Sequence, residues 1–178
     1  MPRIFSVVVV FVLMLGISAC STSEEITTKS ETSPGIYPSW YSTSGLASDS
    51  LSFRGYATAV SSDSVLAMAN AELQARVNLE SNIAHKMEAV REALEERGSS
   101  LATNTDFIIT LRNAHNMVQN VARLENKSAE EEDGYYRGFA QVVISKTDLK
   151  SLLESGFSEK DDYWQTFSSS PEFSEEIE

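Results

Sequence analysis

One cysteine near the start of the chain is the residue with the clearest chemical use. Cys20 is the single cysteine, so it has no partner within the chain for a disulfide. It follows a positive charge at Arg3, an apolar run from Ile4 to Ile17 and two small residues. This layout is typical of a secretory signal peptide, and about 14 apolar residues are fewer than the roughly 20 of a membrane-spanning helix. The sequence therefore predicts export, with residues 1–19 removed as a signal peptide.

The residues around the cysteine predict that its thiol carries lipid. The order Ile17-Ser18-Ala19-Cys20 resembles the bacterial lipobox, in which diacylglycerol is attached to the cysteine thiol and the signal is cut just before it. The resemblance also implies a third acyl chain on the new amino group. Ser21, where inner-membrane retention would show Asp, implies the outer membrane, facing the periplasm. Two or three acyl chains hold a protein on a membrane more firmly than one. The alternative is an ordinary signal peptide that happens to contain a cysteine.

The charge of the chain argues against nucleic acid as a partner. The chain contains 14 Lys and Arg and 26 Asp and Glu, which gives a formal net charge of −12. Loss of Arg3 with the signal peptide lowers this charge to −13. Nucleic acid binding depends on basic groups that neutralise phosphates, so we expect no nucleic acid partner. The roughly 159 residues of the mature chain suit a single domain.

Composition divides the mature chain into three parts. Residues 20–36 are rich in Ser, Thr and Glu and predict a lipidated flexible tether, because they offer little apolar surface to bury. Residues 37–157 predict an α+β lipoprotein domain. Its first segment, YPSWY (Tyr37 to Tyr41), forms either an aromatic ligand platform or, as we expect, a clamp that fastens the tether to the domain edge. Residues 158–178 predict an acidic C-terminal tail whose aromatic side chains dock and whose last residues fray.

The first two elements of the domain are predicted to be a strand and a long helix. LSFRGYATAV (Leu51 to Val60) alternates with period two, and its inward face is small after Phe53, which lets a helix approach closely. Ser61 to Gly98 predicts one amphipathic helix, capped by Ser62 or Asp63. Alanines in its first half complement the small strand face, and Ala69 is expected in the helix–sheet gap. The expected buried stripe consists of Leu66, Ala69, Leu73, Val77, Ile83, Ala84, Met87, Val90 and Leu94.

The segment that follows the long helix is ambiguous. Residues 105–113 fit either a short helix capped by Thr105 or a strand rich in branched residues, and we choose the helix. A strand is then expected over residues 116–125.

The last part of the domain predicts a hairpin and a short helix. Residues 126–134 read as a hairpin loop, and residues 135–145 alternate as a central strand. A short helix follows, capped by Thr147 and ended by Gly156. The expected fold class is therefore α+β, with a short antiparallel sheet of about three strands. One long amphipathic helix and shorter helices pack on that sheet.

Few side chains are spaced for catalysis or metal binding. His85 and His115 are the two histidines, neither at a zinc-ligand spacing, and His85 is expected on the flank of the long helix. Glu130 to Asp133 could attract calcium, but the alternating oxygen ligands of a calcium loop are missing, so we expect a solvated acidic turn. Serine-elbow, phosphate-loop and dinucleotide patterns are also missing. We expect no enzyme, no cofactor and no metal.

Several motifs together resemble one lipoprotein family. PSW, RGYATA, the alanine-rich AMANAELQARVNLESNI and DGYYRGFAQVVIS, with the lipobox, are similar to the family of the twenty-kilodalton Helicobacter outer-membrane lipoprotein. The match covers about residues 38–154, and the tail after Phe157 lies outside it. The resemblance implies a small α+β fold with helices on a short antiparallel sheet. Related lipoproteins build the outer disc around flagellar motors.

Two functions follow as expectations from different classes. The first is a non-enzymatic, outer-membrane-anchored structural or assembly module that associates with itself or with another envelope protein. The second is a periplasmic module that binds a small ligand or peptide in an apolar pocket lined by Trp40, Tyr56 or Trp164.

Overall fold

The computed structural model describes residues 37–178, and these residues form an α+β fold as predicted. The predicted signal peptide, the lipidation site Cys20 and the tether lie outside the described residues. In chain order the elements are β1 (Leu46–Ser48), β2 (Ser52–Ser61), α1 (Ser64–Glu96), α2 (Thr105–Asn116), α3 (Val118–Val121), β3 (Arg123–Glu132), β4 (Tyr135–Ser145), α4 (Lys146–Gly156), α5 (Asp161–Ser168) and α6 (Pro171–Glu176).

The strands form one antiparallel sheet in the order β1-β2-β4-β3. The prediction of β4 as a central strand is confirmed, since β2 and β3 flank it. The strand β1, which was not predicted, pairs with only the first half of β2, where Leu46 lies opposite Gly55. The long helix α1 packs on one face of the sheet, which we call the helix face, and contacts β2, β4 and β3.

The predicted long helix is confirmed, including its ends. The amide of Leu66 donates to the Asp63 side chain at 2.8 Å, which caps the first turn. Gly98 follows the helix with φ 78°, and its amide donates to the carbonyl of Glu95, a geometry that favours glycine. In the second half of α1 the predicted stripe is buried at Ile83, Met87, Val90 and Leu94.

In the first half of α1 the predicted buried face is wrong. Ala67, Ala71 and Ala75 are fully buried, and together with Leu79 they continue the stripe of the second half at intervals of four residues. Ala69 is exposed, so its predicted place in the helix–sheet gap is also wrong. The leucines and valine assigned to the core point away from the sheet; they are Leu66, Leu73 and Val77.

Two glycines explain how the alanine-rich first half of α1 comes so close to the sheet. A Cβ atom on Gly138 would lie 2.2 Å from the carbonyl of Ala67, and one on Gly55 would lie 2.4 Å from the carbonyl oxygen of Ala75. The backbone of α1 therefore touches the backbone of β2 and β4. Glycine on the strands and alanine at Ala67 and Ala75 suit this close approach, and Leu79 packs beside Gly55.

The segment between α1 and β4 differs from the prediction. The expected helix over 105–113 is present, although Asn104, not Thr105, caps it. The expected strand over 116–125 is wrong for most of its length, because α2 runs to Asn116, α3 follows it and β3 begins only at Arg123. The predicted hairpin loop is mostly strand β3, and the turn contains only Asp133 and Gly134, with φ 51° and 81°. Two successive residues of positive φ are the requirement of a tight type I′ hairpin turn.

The C-terminal residues form part of the core. Ser145, not Thr147, caps α4 through a 2.9 Å hydrogen bond from the Asp148 amide. Helices α5 and α6 then bring Phe167 and Phe173 into the core that contains Phe157, and Ile177 is also buried. The expectation that the last residues fray is therefore wrong.

Candidate interaction surface

The two histidines line one groove between α1 and α2. The groove has a volume of about 250 Å³, with Met87 and Leu111 among its apolar walls and Arg112 at its side. His85 is exposed, as expected for a residue on the flank of the helix, and His115 is partly buried. Burial lowers the pKa of His115 and the Arg112 charge lowers it further, while the nearby carboxylate of Glu80 acts in the opposite direction.

The acidic run does not form a cluster of ligands. Glu130 and Glu132 lie opposite Arg137 and Tyr135 on the outer face of the sheet, whereas Glu131 lies opposite Tyr136 on the helix face. Glu132 pairs with Arg137 at 2.7 Å. Within residues 37–178 no three His, Cys, Asp or Glu side chains come together as a metal site would require.

The aromatic residues considered for a pocket lie in two separate clusters. Trp40 contacts Tyr41 on the outer face of the sheet, and Tyr41 in turn packs edge-on against Tyr56 and the buried Phe139. Trp164 instead packs against core phenylalanines, including Phe157 and Phe173. The segment Tyr37–Tyr41 therefore covers the outer sheet face, and the three predicted pocket residues do not share one pocket.

The feature that sequence reasoning missed is an exposed apolar strip on the first half of α1. We call it the α1 face; it consists of Val65, Leu66, Ala69, Leu73 and Val77. The four large side chains, Val65, Leu66, Leu73 and Val77, are 66%, 57%, 60% and 41% exposed. Full burial of one such side chain contributes about 1.5–3 kcal/mol. A partner that covered the α1 face would gain part of that energy for each of the four side chains.

The geometry of α1 leaves this strip uncovered. Buried residues recur every four positions from Ala67 to Met87, and four residues advance about 40° around a helix, so the buried face winds slowly around α1. Its second half also contacts the C-terminal helices, as the 2.7 Å ion pair of Lys86 and Glu176 shows. Within residues 37–178 no such helix lies on the side of the first half opposite the sheet, and its apolar side chains are exposed.

The helix around the α1 face is electrically balanced. Between Ser64 and Leu79 its charged residues are Glu72 and Arg76, which pair at 2.9 Å. Arg76 also donates to the backbone carbonyl of Gln119 at 3.0 Å. The rest of α1 carries five acidic and two basic residues, Glu80, Glu88, Glu92, Glu95 and Glu96 against Lys86 and Arg91. A neutral apolar strip thus lies on a strongly acidic chain.

Comparisons with known proteins assign no family. No family model matches the chain, and neither curated proteins nor solved structures show a significant match. None of the helices in residues 37–178 is long and apolar enough to cross a membrane.

Proposed function

We propose that this protein is a lipid-anchored lipoprotein of the outer membrane, facing the periplasm, with a non-enzymatic structural or assembly role in the cell envelope. The lipid is carried by Cys20, which follows a signal-peptide pattern. The observation that carries the assembly role is the α1 face, because its four large apolar side chains are exposed together on one side of a helix and gain free energy when a partner covers them. The partner is this chain itself or another envelope protein.

Membrane attachment makes weak contacts sufficient for this role. Domains held in one leaflet are confined to two dimensions, so a second contact forms at a high effective concentration. The charge of −13 expected for the mature chain opposes close approach of copies, and this repulsion is screened by salt.

A second candidate function is the binding of a small ligand or peptide. The groove between α1 and α2 supports it, because the polar side chains of His85, Glu88, Arg112 and His115 lie beside its apolar walls. Its volume of about 250 Å³ is just under the roughly 300–1,000 Å³ usual for ligand pockets. We therefore rank this function second.

Fractionation and crosslinking test the proposal together. We expect the full chain, produced in a Gram-negative host, to fractionate with the outer membrane and to give dimers or larger species with an amine-reactive crosslinker. In isolated membranes the crosslinked fraction should rise between about 10 mM and about 150 mM salt, as the Debye length falls from about 30 to about 8 Å.

The matched control removes the lipid and nothing else. Cys20→Ser should appear in the soluble periplasmic fraction or as an uncut precursor, and the soluble form should crosslink little. Normal processing and full membrane attachment of this variant would disprove the lipid anchor. Recovery of only monomer from membranes, with tight binding of a small ligand, would favour the second function.

A further inference from the structure

We infer that the α1 face is the surface through which two copies of this chain associate, with the first halves of their α1 helices packed side by side. The inference rests on the proposed function and names the contact and the partner. It follows from the shape, the charge and the size of the strip.

The shape of the strip suits another helix of the same kind. Leu66, Ala69, Leu73 and Val77 recur at intervals of three and four residues along the exposed side of α1. Such spacing forms a continuous apolar stripe, and two helices bury stripes of this kind by packing side by side. From Val65 to Val77 the strip is about 18 Å long, at about 1.5 Å per residue.

Charge favours a second copy at this surface over other surfaces of the chain. Two copies of a chain with a net charge of −12 repel each other at most approaches. The α1 face is an exception, because its helix segment contains only the mutually paired Glu72 and Arg76. Along the strip, contact between two copies therefore brings together only paired charges, and Asp63, which caps the first turn, is the carboxylate at its end.

A lipid surface is a poorer occupant. Helices that lie on membranes are rich in Lys and Arg on the polar side and often carry Trp or Phe on the apolar side. The segment from Ser64 to Leu79 has no lysine and no aromatic residue. Its single arginine, Arg76, is engaged with Glu72 and with backbone carbonyls.

The N-terminal part of this chain is also a poorer occupant. The large apolar side chains between Ser21 and Ile36 are only Ile26 and Ile36, too few to cover a strip about 18 Å long. The longer apolar run, Ile4 to Ile17, belongs to the segment expected to be removed with the signal peptide.

The size of the strip sets the strength of the contact. A strip about 18 Å long and about 10 Å wide is well below the roughly 800 Å² that each partner buries in a stable complex. Two free domains should therefore associate weakly. Copies anchored in the same membrane should associate more, because anchoring raises their effective concentration.

Leu73 is the best position at which to detect the contact. A symmetric pair places the same residues of both copies at the interface. The strip is centred near position 71, so Leu73 lies opposite its own copy in a parallel pair. In an antiparallel pair the two copies of Leu73 are offset by only about 6 Å along the helix, at about 1.5 Å per residue. Either arrangement brings a cysteine at this position near its copy.

The experiment uses the full chain in its membrane and a short bis-maleimide crosslinker. Leu73→Cys should give a covalent dimer, while Glu92→Cys, an exposed position on the same helix outside the strip, should give at least tenfold less. The chain without an added cysteine should give none, since acylation blocks Cys20. Adding Leu66→Glu to Leu73→Cys should reduce the dimer at least tenfold. The control Gln74→Glu, with the same charge at an exposed neighbouring position, should leave it unchanged.

The outcomes separate this inference from the function on which it rests. If amine crosslinking gives dimers but Leu73→Cys does not, the chain associates through another surface and the inference is wrong. If Leu73→Cys reacts only with a different protein, the assembly role stands and the second copy is the wrong partner. If neither reagent gives any adduct, both are wrong. Equal melting temperatures of the Leu66→Glu and Gln74→Glu variants would show that a lost dimer does not reflect unfolding.

Discussion

At the scale of single residues, the smallest side chains decide which side of α1 is buried. Gly55 and Gly138 allow the helix backbone to touch the sheet at the fully buried Ala67 and Ala75. A hydrophobic pattern ranks leucine above alanine for burial, so it assigned Leu66 and other large residues to the core. Close packing reverses that order here, because volume, and not hydrophobicity alone, limits the contact.

The titration of His115 gives a prediction at the same scale. Its pKa is lowered in the folded protein, mainly by burial, from about 6.5 in an unfolded chain. Below about pH 6.5 the unfolded state therefore binds more protons at this residue, and stability falls as the pH drops toward the folded pKa. We expect the melting temperature of His115→Gln to fall less than that of the wild type between about pH 7.5 and about pH 5.5.

His85→Gln is the matched control for the His115 variant. His85 lines the same groove but is exposed, so this variant removes an imidazole from the groove without removing a buried one. Thermal unfolding of the purified, lipid-free chain at several pH values measures both variants. Identical pH dependence in wild type and His115→Gln would show that burial does not bias this histidine against its proton.

At the scale of elements, local signals identified the strands and helices that carry strong patterns. The period-two alternation of β2 and β4 and the helical periodicity of α1 are visible in the sequence, and the structure confirms all three elements. β1 has three residues and β3 is rich in glutamate, so neither has an apolar pattern to detect. β3 is instead held by pairing with β4, a tertiary contact that overrides local propensity.

The two candidate functional features, Cys20 and the α1 face, also differ in how far the sequence predicts them. The proposed lipidation of Cys20 rests on the residues immediately before it, so it is a prediction from the sequence alone. The α1 face depends on the rotation of a helix about its axis, which is set by Gly55, Gly138 and the alanines that meet them. A pattern within the helix does not contain that information.

A pair of substitutions tests the rotation of α1. Ala71 is fully buried toward the sheet, whereas Ala69 is exposed two residues earlier. We expect Ala71→Leu to overpack the gap and cost about 1–3 kcal/mol, which lowers the melting temperature by roughly 3–10 °C in a domain of this size.

Ala69→Leu is the control, with the same change of side chain on the same helix. On an exposed position it should alter stability by less than about 0.5 kcal/mol. Thermal or denaturant unfolding of the lipid-free chain measures both variants. If Ala69→Leu were the more destabilising of the two, α1 would be rotated so that Leu66, Ala69 and Leu73 face the sheet.

At the scale of the whole molecule, the C-terminal helices complete the core. Phe167 and Phe173 lie with ring centroids 5.4 Å apart, and Phe107 of α2 and Phe157 belong to the same aromatic cluster. The sequence of this region suggested a tail because acidic residues surround its aromatics. Helices α5 and α6 accommodate both kinds of residue, since they bury Phe167 and Phe173, pack Tyr163 and Trp164 against the core and leave most acidic side chains exposed.

The last prediction tests whether residues 158–178 belong to the same folding unit as the sheet. Phe173 is fully buried and packs edge-on against Trp164, with ring centroids 5.6 Å apart. Phe173→Ala should therefore cost about 3–5 kcal/mol and shift one cooperative transition of the whole domain. Tyr135→Ala removes an aromatic ring that is 57% exposed at the β3–β4 hairpin and should cost less than about 0.5 kcal/mol. With Trp40 replaced by Phe, so that Trp164 is the single tryptophan, circular dichroism and tryptophan fluorescence should report the same midpoint for each variant. A Phe173→Ala protein that loses its fluorescence transition early, while its sheet melts at the wild-type temperature, would show that the C-terminal helices fold as a separate appendage.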